Sequence, residues 1–179
     1  KKVIRREMQK IGVLPEEVHA VFITHTDYDH VKAVALYTKA VLYLPAAEEC
    51  MINGSTVRSA YIYKNSLNAE YKTVEHKQLV EVDGTRVLCL HTPGHTPGTM
   101  SYFVNDAYLF TGDTIQLDDG KVLPASDFFT MDRDQAKRSI EQLASVPGVQ
   151  YIITAHFGYT DDPSLAFAEY SHKGAAFNS

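Results

Sequence analysis

Cysteine is scarce in this 179-residue chain: only Cys50 and Cys89 occur, far apart and without a CxxC partner. That spacing argues against a disulfide framework and suits a reducing compartment, so a cytoplasmic location is expected. Long apolar runs are lacking too, and with them any segment able to cross a bilayer as a helix; no secretory leader is visible. Runs of Lys or Arg are also absent, and a formal net charge of −5 leaves no electrostatic footprint for nucleic acid. The basic opening KKVIRREMQK reads as the polar face of a helix rather than as a binding arm. What remains is a globular composition, 45% apolar and 22% charged, in one domain over 1–179. Neither nucleic acid nor a membrane is therefore an expected partner.

Val3, Ile4, Met8 and Ile11 have helical spacing, which predicts a helix that stops near Gly12. The run Val18–Thr24 turns apolar and β-branched, as a buried strand does. A short helix over 31–39, a strand at Val41–Leu44 and a helix at Ala46–Met51 follow. Residues 53–78 mix aromatic and polar side chains without a period, and read as a loop or helical insertion near the site mouth. Strand signals then recur at Leu79–Val82, Thr85–Leu90, Thr99–Val104 and Ala107–Phe110, with Asp83-Gly84 and Asn105-Asp106 in hairpin positions. Asp132 opens a helix that carries Ile140, Leu143 and Ala144 on one face and closes at Pro147-Gly148. A strand at Tyr151–Ala155 and a helix over Ser164–Ser171 complete an α/β pattern in which hairpins alternate with helices.

Four segments carry chemistry. In Ile23-Thr24-His25-Thr26-Asp27-Tyr28-Asp29-His30, four metal-binding side chains fall within six residues, directly after a buried strand. At a strand end alternate side chains share a face, so His25 and Asp27 point the same way, and a turn into helix re-aims Asp29 and His30. Chance clustering of turn and cap residues explains so dense a group poorly. The second segment, His91-Thr92-Pro93-Gly94-His95-Thr96-Pro97-Gly98, has two Pro-Gly pairs that make a tight loop able to pass close to a site. Here His95 is the candidate ligand and His91 a structural neighbour. Gly112-Asp113 and Ala155-His156 each place one ligand type just past a strand, and each is weak alone.

Together these segments resemble the metallo-β-lactamase superfamily, with its His-x-His-x-Asp-His motif, a Pro-Gly-His-Thr-like loop, a Gly-Asp and a late His. The resemblance covers the chain from about Pro15 onward. It implies a four-layer αββα sandwich with two divalent metal ions at one edge of its sheets. Carried over by position, His25, Asp27 and His95 form site one and Asp29, His30 and His156 form site two, with Asp113 bridging. A metal-bridging hydroxide is then the nucleophile, held also by Asp29, and the expected activity is hydrolysis of a small ester, thioester or lactone. Tyr159, close after His156, is a candidate substrate contact; an exposed loop tyrosine is the equal alternative.

Three departures from the family pattern matter. Asp27 stands where the family has its second His, and Val31-Lys32-Ala33-Val34 stands where it usually has a Gly pair. The strands that normally precede the first helix are not in this sequence, so a domain without them is expected to expose apolar surface and unpaired strand groups. A third carboxylate makes a two-metal site with hydroxide formally neutral, against one positive charge in the usual site, and so polarises water less. It also moves metal preference from zinc, the first expectation, toward iron or manganese. Two rival readings follow. One is a di-iron oxidoreductase of the flavodiiron type, which has a carboxylate at this position but normally a flavin domain as well; no phosphate-cradling Gly loop occurs here. The other is a ligand-binding relative with an impaired site, disfavoured because all seven positions keep side chains able to bind metal.

Overall fold

Strict alternation in Thr85–His91, strand β5, shows how the layers arise. Val87 and Cys89 turn to one face and Leu88 and Leu90 to the other, and both faces are covered. The computed structural model describes residues 1–58 and 65–170. Within them β5 sits in a six-stranded sheet of order β11-β10-β7-β6-β5-β4. Its other members are β4 (Leu79–Val82), β6 (Met100–Val104), β7 (Tyr108–Gly112), β10 (Tyr151–Thr154) and β11 (Tyr159–Thr160). A smaller parallel sheet joins β1 (Ala20–Phe22), β2 (Val41–Pro45) and β3 (Lys72–Val74) in that order. The strands β8 (Ile115–Asp118) and β9 (Lys121–Pro124) make a separate hairpin.

Three apolar clusters correspond to the three interfaces of a four-layer αββα sandwich. Between the sheets, Val87, Cys89, Met100 and Tyr102 meet Phe22 and Tyr43. Outside the larger sheet, Leu90, Phe103, Leu109 and Ile152 pack on Ile140 and Leu143 of α4 (Arg133–Ala144) and on Ala166 of α5 (Pro163–Ala166). Outside the smaller sheet, Ile23, Leu42 and Leu44 pack with Val31 of α2 (Tyr28–Val31) and Ile52 of α3 (Glu49–Asn53). Each fully buried aliphatic side chain contributes roughly 1.5–3 kcal/mol. The first helix, α1 (Lys2–Lys10), buries none of its residues.

The hairpin turns lie where the sequence places them. Asp83, Gly84, Asn105 and Asp106 all have positive φ. Asp132 caps α4 by accepting a hydrogen bond from the Gln135 N–H at 2.9 Å. The helix expected over 31–39 is instead the single turn of α2 followed by a 3₁₀ turn, Val34–Leu36. Val31 and Leu36 are both buried, yet five residues turn a regular helix through about 140°, and the break lets both reach the core. The last helix is shorter than expected, and Ser171 lies outside the described residues. The β8–β9 hairpin carries a signal that went unread, Asp119-Gly120 with positive φ at both residues.

The smaller sheet covers the larger one only in part. Tyr108 and Phe110 of β7 pair in register with Val104 and Tyr102, on the face turned toward the smaller sheet, yet both are exposed. Tyr108 stacks on Tyr151 of β10, and Tyr159 of β11 is exposed beyond them.

Candidate metal centre

Strand direction brings the four motif segments together. β5 and β7 are both antiparallel to β6, and β10 is parallel to β7, so β5, β7 and β10 run the same way and end at one edge. The loop after β5 carries His95, the residue after β7 is Asp113, and His156 lies two residues past β10. From the smaller sheet, the segment after β1 is stitched to the same edge. The Met100 N–H donates to Thr24 O at 2.9 Å, and the Tyr102 hydroxyl donates to Ile23 O at 2.6 Å.

Glu48 locks the two histidine loops to each other. Its carboxylate is fully buried and accepts from the Thr26 N–H at 2.8 Å, the Thr26 hydroxyl at 2.7 Å, the Thr96 hydroxyl at 2.6 Å and the Gly98 N–H at 3.2 Å. Four donors satisfy a buried charge that would otherwise be costly. Burial pushes the Glu48 pKa up, against the pull of those bonds. Both Pro-Gly pairs owe their glycines to close approach. A Cβ on Gly98 would lie 2.2 Å from the Glu48 backbone, and one on Gly94 2.4 Å from that of Ala136 in α4.

The seven sequence-predicted ligands converge. Asp113 faces two groups with its two oxygens: Oδ2 lies 3.9 Å from His25 Nε2 and 3.6 Å from His95 Nε2, while Oδ1 lies 3.4 Å from His30 Nε2 and 3.5 Å from His156 Nε2. In the outer group, Asp29 Oδ2 is 3.6 Å from His30 Nε2 and 3.3 Å from His156 Nε2, and the two imidazole nitrogens are 3.2 Å apart. Nitrogen and oxygen donors around a tetrahedral ion at 2.0–2.1 Å stand about 3.3–3.4 Å from one another. His25, His95 and Asp113 form one group with metal-ligand spacing and Asp29, His30 and His156 the other. Burial separates them: His25 is 0% and His95 4% exposed, whereas His156 and Asp29 are open to solvent.

Asp27 belongs to the inner group by position and is engaged elsewhere as well. Its Oδ2 is 3.2 Å from His95 Nε2 and 3.5 Å from His25 Nε2. The same carboxylate is gripped by the Arg58 fork, Nε to Oδ1 at 3.1 Å and Nη2 to Oδ2, while Asn65 Nδ2 donates to Oδ1 at 3.1 Å. Although Asp27 is the N-cap of α2, its side chain makes no capping bond. Arg58 and Asn65 were not picked out from the sequence. They flank residues 59–64, the part of the 53–78 segment outside the described residues, and no motif marks them.

Charge in the centre is tightly balanced. Burial holds His25 neutral down to a pKa of about 4. Burial acts to raise Asp27, but the imidazoles of His25 and His95 beside it and the Arg58 guanidinium hold it well below the usual carboxylate range. Asp113 is likewise burdened by burial and brought down to about 2 by His30, His25 and His95. His30 is raised, because Asp113 and Asp29 outweigh its burial. Among the described residues, His25 Nε2, His95 Nδ1 and Asp113 Oδ1 are buried side-chain atoms without a hydrogen-bond partner. His25 Nε2 and Asp113 Oδ1 lie within the ligand groups, so the donor set fits divalent cations.

The centre opens into a cavity of about 430 Å³, with Asp29, Asp113 and His156 on its floor and Ile115, Phe129 and Phe157 among its walls. Tyr159 is not among the lining residues and is 70% exposed; Phe157 occupies the wall. His91 is structural, with Nε2 2.8 Å from Pro97 O. The grouping predicts that His30→Ala weakens one ion selectively, by about 100-fold or more, since His25, His95 and Asp113 remain as a set. Metal titration of the variant reads this, and equal loss at both groups would show the partition to be wrong.

The sequence model of the metallo-beta-lactamase superfamily matches residues 2–156, and the chain belongs to that superfamily. It is 34% identical over 113 residues to a probable polyketide biosynthesis zinc-dependent hydrolase of Bacillus subtilis (strain 168), covering 59% of this chain and 42% of that protein. It is 28% identical over 153 residues to a hydroxyacylglutathione hydrolase of Bartonella tribocorum, covering 83% and 52%. The chain thus spans about half the length of these curated relatives. A metallo-beta-lactamase family protein from Thermus thermophilus superposes with a TM-score of 0.68 at 19% identity, over 97% of this chain and 66% of its own. An N-acyl homoserine lactone hydrolase bound to its product superposes with a TM-score of 0.60 at 24% identity, over 87% and 61%. The similar hydrolases support a metal-binding member of this hydrolase superfamily, and among the described residues no helix is long and apolar enough to cross a membrane.

Proposed function

We propose that the chain is the catalytic region of a binuclear metal-dependent hydrolase acting on a small ester, thioester or lactone-type substrate. One observation carries this reading: the two oxygens of Asp113 each face a separate ligand group, as a bridging carboxylate requires. Bound divalent ions would supply Lewis acidity, acidifying water and polarising the carbonyl under attack. His25, His95 and Asp113 would hold one ion, and Asp29, His30 and His156 the other, with Asp27 beside the first. Asp29 presents Oδ2 to His30 and His156, which leaves Oδ1 to orient the attacking water and accept its proton. Ile115, Phe129 and Phe157 give the cavity an apolar wall suited to the acyl part of a substrate and able to keep bulk water off it.

The substrate class is supported by the names of the relatives, which include hydroxyacylglutathione hydrolases, an acyl-carrier-protein thioesterase and a lactone hydrolase. Nothing in the cavity points to β-lactams in particular. Zinc is the first expectation, as in the zinc-dependent relative. The carboxylate at position 27 favours iron as the alternative, and one structural neighbour was crystallised in a di-iron-bound form. The test is elemental analysis of protein purified without added metal, followed by an ester, thioester and lactone panel. Zinc with turnover on the panel supports the proposal. Stoichiometric iron with no hydrolysis in any metal form would replace it with the redox reading.

A further inference from the structure

The Asp27–Arg58 pair differs from the other arginine–aspartate pairs among the described residues in both geometry and place. Arg86–Asp106 and Arg133–Asp127 join side chains that are each more than half exposed, where an ion pair contributes little. Arg58 and Asp27 are only 18% and 19% exposed, and their contact is a two-pronged fork. A third arm fixes the guanidinium, since Nη1 donates to Phe129 O at 2.5 Å. Its Nη2 also lies 2.9 Å from His95 Nε2, an atom of the inner ligand group. A full positive charge therefore stands beside the metal centre, anchored from two directions and poorly screened.

We propose that Arg58 is a positioning residue of the metal centre, which holds the Asp27 carboxylate and cancels its charge. The two side chains then enter the site as one neutral unit at the place where the family motif has a histidine. The formal charge reckoned from the sequence alone changes accordingly. Three carboxylates and a hydroxide neutralise two divalent ions, but Arg58 restores the single positive charge of a two-carboxylate site. An aspartate is thereby tolerated in the inner group without weakening the field that acidifies water. The inference rests on the metal-binding reading of the centre and not on the identity of the substrate.

The test is a set of charge-matched variants, read by zinc-competition titration of the inner group and by the pH profile of hydrolysis. Arg58→Met leaves Asp27 uncompensated; it should tighten the inner ion about tenfold or more and move the profile about one unit upward. Asp27→Asn leaves Arg58 uncompensated and should shift both readouts the opposite way. The double variant still lacks the Asp27 carboxylate, so it should bind the inner ion more weakly than the parent but about tenfold tighter than Asp27→Asn alone, with its profile moved back upward toward the parent's. Arg58→Lys keeps the charge but loses the fork, and should bind the inner ion within about threefold of the parent. A parent chain that binds no ion would defeat the reading of the centre itself. An ion held by the parent but unmoved by Arg58→Met, or an Arg58→Lys variant that behaves like Arg58→Met, would overturn this inference alone.

Discussion

Replacing Asp113 by alanine should strip metal affinity from both ligand groups at once, by about 100-fold or more at each, and hydrolysis with it. The expectation follows from the division of the carboxylate. Oδ2 faces His25 and His95, Oδ1 faces His30 and His156, and no other side chain among the described residues faces both sets in this way. Asp113→Asn should differ in kind. The amide keeps one oxygen and turns an NH2, which cannot bind a cation, toward the other group, so one ion should be retained much better than the other. Isothermal titration with zinc, fitted for two sites, separates these outcomes. Loss confined to a single site in Asp113→Ala would mean that Asp113 is a terminal ligand rather than a bridge.

The largest effect on stability should come from a residue that touches no metal. Glu48→Ala removes the acceptor of four hydrogen bonds in the buried seam between the two histidine loops, two of them from backbone N–H groups that cannot turn away. Each stranded donor costs about 1–3 kcal/mol, so a loss on the order of 3–5 kcal/mol is expected, or a fall in Tm of roughly 10 °C for a chain of this size. Glu48→Gln should lose less, because the amide oxygen still serves the donors on one side while its NH2 faces those on the other. Thermal melts of the metal-free proteins measure this. A Glu48→Ala variant as stable as the parent would show that the two loops hold together without it.

The ligand residues were legible because each follows an apolar, β-rich run, and strand ends are where such a run stops being buried. His25, His95, Asp113 and His156 all take their places in that way, at the edge where the strands carrying the last three end in parallel. The layers were legible through alternation in segments such as Thr85–Leu90. What was missed lies in irregular backbone. Glu48 sits in a 3₁₀ turn within Ala-Ala-Glu-Glu, where the sequence reads as an ordinary helix start. Arg58 and Asn65 come from a stretch without a period, and their importance arises only from contact with Asp27, 31 and 38 residues away. For the same reason the formal charge of the motif residues leaves out Arg58, a cation that the motif does not contain.

The unequal exposure of the two ligand groups has a consequence for how long each ion stays. An ion departs by trading its protein ligands for water one at a time, and His156 and Asp29, open to solvent, let water attack early in that exchange. In the inner group His25 and His95 are buried beneath the loops that Glu48 ties together, so water reaches that group only by the side where Asp27, His95 and Asp113 line the cavity. If both groups are filled, the inner ion should exchange more slowly and survive dialysis better, while the outer one should follow the metal supply of the surroundings. On the two-ion proposal, a single-ion form is then the species to expect wherever free metal is scarce, with hydrolysis tracking the refilling of the outer seat.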